Sequence, residues 1–211
     1  MAVIEQIKSR LAEHRPRLLP MDYPEAGVLV PVTSDLLSPE IVLTRRADHL
    51  RTHRGQVAFP GGRRDQTDES LLHTALRESE EEVGLGRGQI EVVGVLDQVV
   101  SRFGILVTPY VGLIPPEVDL VANPDELDAV FRVPVEFFLR DERKRTDVIA
   151  FRGTTLHVPC WQYGEFEIWG LSAMILANFV NVAFDAGIKL VHYQRGKDVQ
   201  IEKERPSEQK I

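Results

Sequence analysis

The sequence predicts a layered domain of the α/β or α+β class. Runs of β-branched residues bounded by turn formers lie on both sides of one amphipathic helix, and a second, apolar helix follows late in the chain. The 211 residues suit a single domain that buries a full core. An apolar fraction of 43% and a charged fraction of 27% are ordinary for a globular chain and argue against disorder.

The two ends of the chain are expected to lie outside this domain. Residues 3–14 have an amphipathic helical pattern, and Pro16, Pro20 and Pro24 then mark an extended link, so this segment is expected to be peripheral. The charged stretch at 194–211 is expected to be a flexible tail. The predicted organisation is a helix and linker at 1–24, a folded domain at 25–193 and a tail at 194–211.

Seven strands and two long helices are predicted between these ends. Short runs rich in β-branched residues between turn formers predict strands at 27–32, 41–45, 90–96, 105–113, 129–133, 148–152 and 155–160. The last two runs flank Gly153 and predict a hairpin. Helical periodicity predicts one helix at 68–83, ended by Gly84, and another at 168–186, ended by Gly187.

Charge and apolar content bear on partners and location. The net charge of −7 opposes general binding to nucleic acid, which needs many basic residues. The longest apolar stretch, 168–184, is shorter than the roughly 20 residues of a membrane helix, and is expected to form core or a homodimer interface. No export signal is visible and Cys160 is the single cysteine, so we expect a cytoplasmic protein without membrane partners.

Arginine is concentrated in the segment 45–64. Six arginines and two histidines stand there against the single acid Asp48. In an acidic protein such a segment is either a local anion-binding site or a solvated basic face. Composition alone leaves both alternatives open.

Acidic residues are concentrated in the predicted helix at 68–83. Leu72, Leu76, Ser79 and Val83 form the stripe expected to pack on the sheet, whereas a stripe beside it carries three glutamates, Glu78, Glu81 and Glu82. Like charges at this spacing repel, and they lie near the helix end where the dipole prefers cations. A divalent cation such as Mg²⁺ would offset both the repulsion between the glutamates and their unfavourable interaction with the helix dipole. The alternative is a solvated acidic face.

Two neighbouring features favour the metal interpretation. Gly61 and Gly62 lie upstream, where backbone without side chains can approach a metal or phosphate closely, and the Gly61 carbonyl is a candidate ligand. Arg77 is adjacent to Glu78 and can orient a carboxylate by a bidentate contact.

The segment resembles the Nudix box, whose pattern is Gly, five residues, Glu, seven residues, Arg-Glu, an apolar residue, any residue, Glu-Glu, any residue, Gly and an apolar residue. Seven residues separate Glu69 from Arg77, and the remainder of the pattern follows in step as far as Leu85. The chain departs from the pattern twice, because six residues separate Gly62 from Glu69 and because Ser79 occupies the apolar slot.

The chain also resembles the coenzyme A pyrophosphatase branch of that superfamily. The extra residue before Glu69 is characteristic of this branch, and so is the upstream stretch VLTRRADHLRTHRGQVAFPGG. Its matching positions are Leu43, Thr44, Arg46, Ala47, Arg51, Gly55, Phe59, Pro60, Gly61 and Gly62, with Val42 in place of a leucine. The two motifs together cover residues 42–85.

The resemblance implies a Nudix-type α/β/α sandwich with a central mixed β-sheet and a hydrolase that uses Mg²⁺ or Mn²⁺. Water would attack the diphosphate of coenzyme A or a derivative, giving 3′,5′-ADP and 4′-phosphopantetheine. The implied metal ligands are Glu78, Glu81, Glu82 and Gly61; the catalytic set adds Arg77 and, as a second candidate base, Glu126; and the substrate-binding set is Arg46, Arg51, Arg54, Gly55 and Phe59.

Two alternatives to coenzyme A hydrolysis stay open. A Nudix enzyme with these motifs could act on NADH or ADP-ribose, and a chain with this fold could bind nucleotides without catalysis. The intact set of Glu78, Glu81 and Glu82 argues against the non-catalytic alternative, since a regulator would not need these like charges. Substrate profiling separates the first alternative from coenzyme A.

Overall fold

The protein is described here by a computed structural model that covers residues 3–50, 52–151 and 154–192. Its helices in these ranges are α1 (Val3–Glu13), α2 (Leu71–Val83), α3 (Val135–Leu139) and α4 (Gly170–Phe184), with one 3-10 turn at Arg87–Gln89. Its strands are β1 (Glu25–Thr33), β2 (Glu40–Arg46), β3 (Val57–Ala58), β4 (Gly61–Arg63), β5 (Glu91–Val95), β6 (Val99–Val100), β7 (Leu106–Ile114), β8 (Leu127–Pro134), β9 (Arg145–Phe151), β10 (Thr154–Tyr163), β11 (Phe166–Ile168) and β12 (Val191–His192).

The larger sheet is mixed, as the sequence predicts. β1 and β7 run parallel along their whole length, from Glu25 opposite Leu106 to Thr33 opposite Ile114. The other pairs are antiparallel: β2 pairs with β1, β3 and β8, β4 pairs with β1, and β5 and β6 pair with β7. The predicted α/β class with a central mixed sheet is therefore confirmed.

Helices cover both faces of this sheet. α2 packs against β1 and β4, and the core on that side includes Leu29, Leu76 and Val83. The opposite face carries the larger core, to which α1 and α4 contribute. The three layers bury the apolar stripe of α2 and thereby fix the direction in which its glutamates project.

Strand β1 places α2 close to the sheet. Side chains alternate along a strand, so Val30 faces the larger core while Leu29 faces α2. Gly27 lies on the α2 side, where a Cβ would come within 2.1 Å of the Leu71 carbonyl oxygen. Glycine at this position therefore allows the helix backbone to approach the strand.

The C-terminal part of the described chain forms a second, smaller sheet. β10 pairs antiparallel with β9, β11 and β12. The rings of Phe131 in β8 and Phe166 in β11 stack with centroids 3.8 Å apart, which joins the two sheets. The predicted hairpin strands are present, but the turn residues 152 and 153 and the predicted tail at 194–211 lie outside the described residues.

Three sequence predictions about the helices need correction. Helix α1 is not peripheral, because Ile4, Ile7 and Leu11 are buried against α4 and β5. Helix α2 begins at Leu71 rather than at residue 68, since Ser70 accepts a hydrogen bond from the His73 amide and caps it.

Helix α4 is also shorter than predicted and ends at Asp185, not at Gly187. Asp185 adopts a left-handed conformation with φ 56°, and Ile168 belongs to β11. The side chain of Asn181 stabilises the turn that follows α4. Its Nδ2 donates to the Ile188 carbonyl and its Oδ1 accepts from the Ile188 amide, both at 2.7 Å. Residues of α4 form part of the larger core, and no helix in the described residues is long and apolar enough to cross a membrane.

Candidate active site

Helix α2 carries the acidic residues that the sequence singles out. Its end is fixed by Gly84, which has φ 69° and donates its amide to the Glu80 carbonyl, as the sequence predicts. Ser79 and Val83 are fully buried in the stripe that packs on the sheet. Glu78 and Glu82 flank this stripe and face β4, whereas Glu80 is exposed.

Glu82 is the most deeply buried of the glutamates, with 3% of its surface exposed. Its Oε2 accepts a hydrogen bond of 3.1 Å from the Gly61 amide, and its Oε1 lies 3.8 Å from Arg46 Nη1. Burial raises the pKa of Glu82 to about 7, and the charges of Glu78 and Glu126 act in the same direction. A carboxylate held so far from water is favourable only beside a positive charge.

The Glu78 carboxylate lies over the backbone of Gly62. A Cβ at residue 62 would come within 2.3 Å of Glu78 Oε1, so any larger residue there displaces the carboxylate. Burial raises the pKa of Glu78, opposed by Arg77 and reinforced by Glu81 and Glu126. Gly62 therefore makes room for the Glu78 carboxylate, while Gly61 binds Glu82 through its amide and allows the close approach of β4 to β1.

Arg77 is held by an acid that the sequence comparison with the box does not assign. Asp68 is buried and accepts hydrogen bonds of 3.0 Å from Arg77 Nε and Nη2, so the bidentate contact goes to Asp68. Glu69, which occupies the acidic slot of the box when counted back from Arg77, is exposed. Five residues separate Gly62 from Asp68, as in the box pattern, and this spacing was the available signal.

The third nitrogen of Arg77 binds the glutamates of α2. Nη1 lies 2.9 Å from Glu78 Oε1 and 2.9 Å from Glu81 Oε2. Glu81 is otherwise exposed and projects away from the buried pair. The expected convergence of Glu78, Glu81 and Glu82 is thus divided in this structure, with Arg77 between the first two and Arg46 beside the third.

Glu126 joins this group from a loop remote in sequence. Its charge raises the pKa of both Glu78 and Glu82. The loop is anchored to the site by two backbone hydrogen bonds, from the Asn123 amide to the Glu82 carbonyl at 2.8 Å and from the Ala47 amide to the Glu126 carbonyl at 2.9 Å. The structure therefore brings together Glu78, Glu82 and Glu126.

The basic segment borders the carboxylates at one residue. Arg46, at the end of β2, faces Glu82, and its Nε is buried without a hydrogen-bond partner among the described residues. Gly55 has φ 68° and donates its amide to the Arg46 carbonyl, closing the loop from 47 to 54. Arg54 is exposed and has no ion-pair partner in the described part of the chain, while Arg51 lies outside the described residues.

Phe59 does not line the site as expected. Its ring is 4% exposed and belongs to the larger hydrophobic core. The residue therefore contributes packing beneath β3 and β4 instead of a direct surface for substrate.

The donors present fit a hard divalent cation. The described residues contain no group of three His, Cys, Asp or Glu side chains already placed to hold a metal ion. The fit rests on chemistry: Glu78, Glu82 and Glu126 supply oxygen atoms only, and their charges repel one another.

The comparisons with known proteins agree with this geometry. The model of the NUDIX domain family matches residues 24–151. The uncharacterized Nudix hydrolase NudL of Shigella flexneri serotype 5b (strain 8401) is 39% identical over 188 residues, covering 88% of this chain and 96% of that protein. The NudL protein of Salmonella paratyphi B is 40% identical over the same shares of the two chains.

A solved structure supports the same fold. The MutT/nudix family protein from Enterococcus faecalis is 17% identical, with a TM-score of 0.53, over 88% of this chain and 70% of that one. The chain belongs to the Nudix hydrolase family, whose members act on nucleoside diphosphate derivatives and generally use divalent metal ions.

Proposed function

We propose that the protein hydrolyses the diphosphate bond of coenzyme A or a derivative, with Mg²⁺ or Mn²⁺, to give 3′,5′-ADP and 4′-phosphopantetheine. The observation that carries the proposal is the position of Arg46. It connects the basic segment to the buried carboxylate of Glu82 at 3.8 Å, so anion-binding and metal-binding chemistry meet at one place.

The metal would be held by the carboxylates that flank β4. Glu82 is the principal ligand in this proposal, with Glu81 and the Gly61 carbonyl completing the set and Glu78 as either a further ligand or the base. When bound, the ion supplies charge neutralisation for the diphosphate oxygens and for the leaving group. The raised pKa of Glu82 supports the assignment, because a cation removes the penalty of its buried charge.

The protein's own residues would position and deprotonate the attacking water. Glu78 and Glu126 are the two candidate bases, since both carboxylates border Glu82 and neither is needed to hold Arg46. Arg77 acts as a positioning residue that orients Glu78 and Glu81 through Nη1.

The basic segment supports coenzyme A over simpler dinucleotides. Coenzyme A carries a 3′-phosphate beside its diphosphate, and this extra charge needs an extra cation. Arg54 is exposed and unpaired among the described residues, so it is available for a charge-assisted contact with that phosphate. Arg46 and Arg51 are the other candidates, and Gly55 donates its amide to the Arg46 carbonyl.

A substrate screen tests the proposal. Coenzyme A, acyl-coenzyme A, NADH and ADP-ribose are compared by kcat/KM with Mg²⁺ and with Mn²⁺, using Glu82→Gln as the inactive control. We expect the highest value for coenzyme A or its acyl form. A higher kcat/KM for NADH or ADP-ribose would contradict coenzyme A as the substrate and indicate a Nudix hydrolase that acts on that compound instead. Binding without turnover of any compound would favour a nucleotide-binding module.

A further inference from the structure

An aromatic ring stands exposed at the turn between β6 and β7. Phe103 has 57% of its surface accessible, although single apolar residues at turns need no explanation by themselves. Its backbone is held rigidly: the Ser101 hydroxyl accepts hydrogen bonds from the amides of Phe103 and Ile105, at 3.3 and 3.1 Å. Gly104, with φ 72°, donates its amide to the Ser101 carbonyl. The turn therefore presents the ring in a fixed position.

Two side chains contact the ring, one of them over a face. The guanidinium of Arg102 lies 4.9 Å from the ring centroid, a cation–π contact. The His53 ring meets Phe103 edge to face, with centroids 5.0 Å apart and an angle of 86°. His53 itself is in the left-handed conformation, with φ 57°, and its Nδ1 lies 2.8 Å from Gln56 Oε1.

These contacts connect Phe103 to the candidate active site. His53 belongs to the loop that begins after Arg46 and closes where the Arg46 amide donates to the Gln56 carbonyl at 3.0 Å. Arg46 Nη1 in turn lies 3.8 Å from Glu82. The loop thus begins at Arg46, which faces Glu82, and carries His53, which contacts the aromatic ring; Arg54, which has no ion-pair partner among the described residues, lies between His53 and Gly55 in sequence.

We propose that Phe103 is the surface on which the nucleobase of the substrate stacks. The proposal rests on the proposed function, because it assigns the nucleoside end of the same diphosphate substrate. An exposed ring provides a π face for a base, and two arginines favour the attached phosphates: Arg102, which contacts the ring, and Arg54, which follows the ring-contacting His53 in sequence. The cleaved diphosphate then lies at the base of the loop, beside Glu82.

Three substitutions distinguish a base from an apolar tail on this ring. Phe103→Ala removes the surface, Phe103→Leu keeps apolar bulk without a π system, and Phe103→Trp keeps the π system. We expect Ala and Leu each to raise KM by about tenfold to a hundredfold with kcat within about twofold, and Trp to resemble wild type. Leu37→Ala, at another exposed turn, is the matched control and should change nothing.

Two outcomes of the kinetics would overturn the proposal. If Leu were as good as Phe, the ring would contact an aliphatic part of the substrate. If all three variants matched wild type, the ring would contact no substrate at all. Failure of the wild-type enzyme to cleave any nucleoside diphosphate derivative would instead count against the proposed function.

A binding measurement tests, without turnover, whether a nucleobase stacks on the side chain at position 103. Adenosine diphosphate should quench the added fluorescence of Phe103→Trp, whereas inorganic pyrophosphate should not, because only the former carries a base. Wild type and Leu37→Trp serve as controls for the native tryptophans and for a tryptophan at a remote turn. The same response to both compounds, or no response beyond the controls, would overturn the assignment.

Discussion

Both carboxylate oxygens of Asp68 accept hydrogen bonds from Arg77, one from Nε and one from Nη2, each at 3.0 Å. Thr74 Oγ1 and the Asp65 amide donate to the same carboxylate at 2.9 Å. These donors hold the pKa of Asp68 well below its ordinary value, with Arg77 the largest cause. Nη1 of Arg77 contacts Glu78 and Glu81, so the buried Asp68 holds the arginine that pairs with two carboxylates of α2.

Asp68→Asn should therefore destabilise the protein, by on the order of 3 kcal/mol in the free energy of unfolding, because it leaves Arg77 without its buried partner. Urea unfolding at neutral pH measures the change. Glu69→Gln is the matched control, and should stay within about 0.5 kcal/mol of wild type because Glu69 is exposed. A larger loss for Glu69→Gln than for Asp68→Asn would contradict the role assigned to Asp68.

Glu82→Gln should lower turnover by at least about two orders of magnitude, as removal of a metal ligand does. The amide keeps the size of the side chain, and the helix content seen by circular dichroism should be unchanged. Glu80→Gln, on the exposed side of the same helix, should retain activity. Near wild-type turnover by Glu82→Gln would remove Glu82 from the metal site.

The buried charge of Glu82 should also make metal-free stability depend on pH. Its pKa is raised from 4.5 to about 7 on folding, so the folded state binds the extra proton between these values. The free energy of unfolding should then fall as pH rises from about 4.5 to about 7, and Glu82→Gln should lack this part of the decline. With a chelator present, the stability difference between variant and wild type should grow across this window and level off above it. A difference independent of pH would show that Glu82 titrates normally.

Divalent cations should raise the melting temperature of the wild-type protein. An ion that binds only the folded state adds free energy through linkage, and it relieves the repulsion among Glu78, Glu82 and Glu126. A titration with Mg²⁺ or Mn²⁺ measures the effect, and Glu82→Gln should respond more weakly. A flat response of wild type at concentrations that support activity would argue against a preformed carboxylate site.

Periodicity and motif spacing were sufficient to predict the acidic helix, its buried stripe and the glycine that ends it. Leu76, Ser79 and Val83 recur at the helical period and are buried as expected, and Gly84 ends α2 as its conformational freedom suggests. These features are local, since each depends on residues within a few positions along the chain.

Features that depend on remote residues were not predictable in this way. The partner of Arg77 is decided by which acid the β4–α2 loop turns inward, and both Asp68 and Glu69 satisfied part of the spacing. The burial of α1 depends on α4, which lies more than 150 residues away, as the hydrogen bond from Gln6 to the Ala183 carbonyl illustrates. The ring contact between His53 and Phe103 likewise joins two loops that no sequence pattern connects.

The ratio of kcat/KM for coenzyme A to that for dephospho-coenzyme A, which lacks only the 3′-phosphate, tests the proposed substrate most directly. A charge-assisted contact of roughly 1.5 to 3 kcal/mol predicts a preference of about tenfold to a hundredfold for coenzyme A. Arg54→Ala should reduce this ratio, while Arg87→Ala, an exposed arginine after α2, should leave it unchanged. Equal values for the two substrates in the wild-type enzyme would contradict recognition of the 3′-phosphate and with it the physical case for coenzyme A.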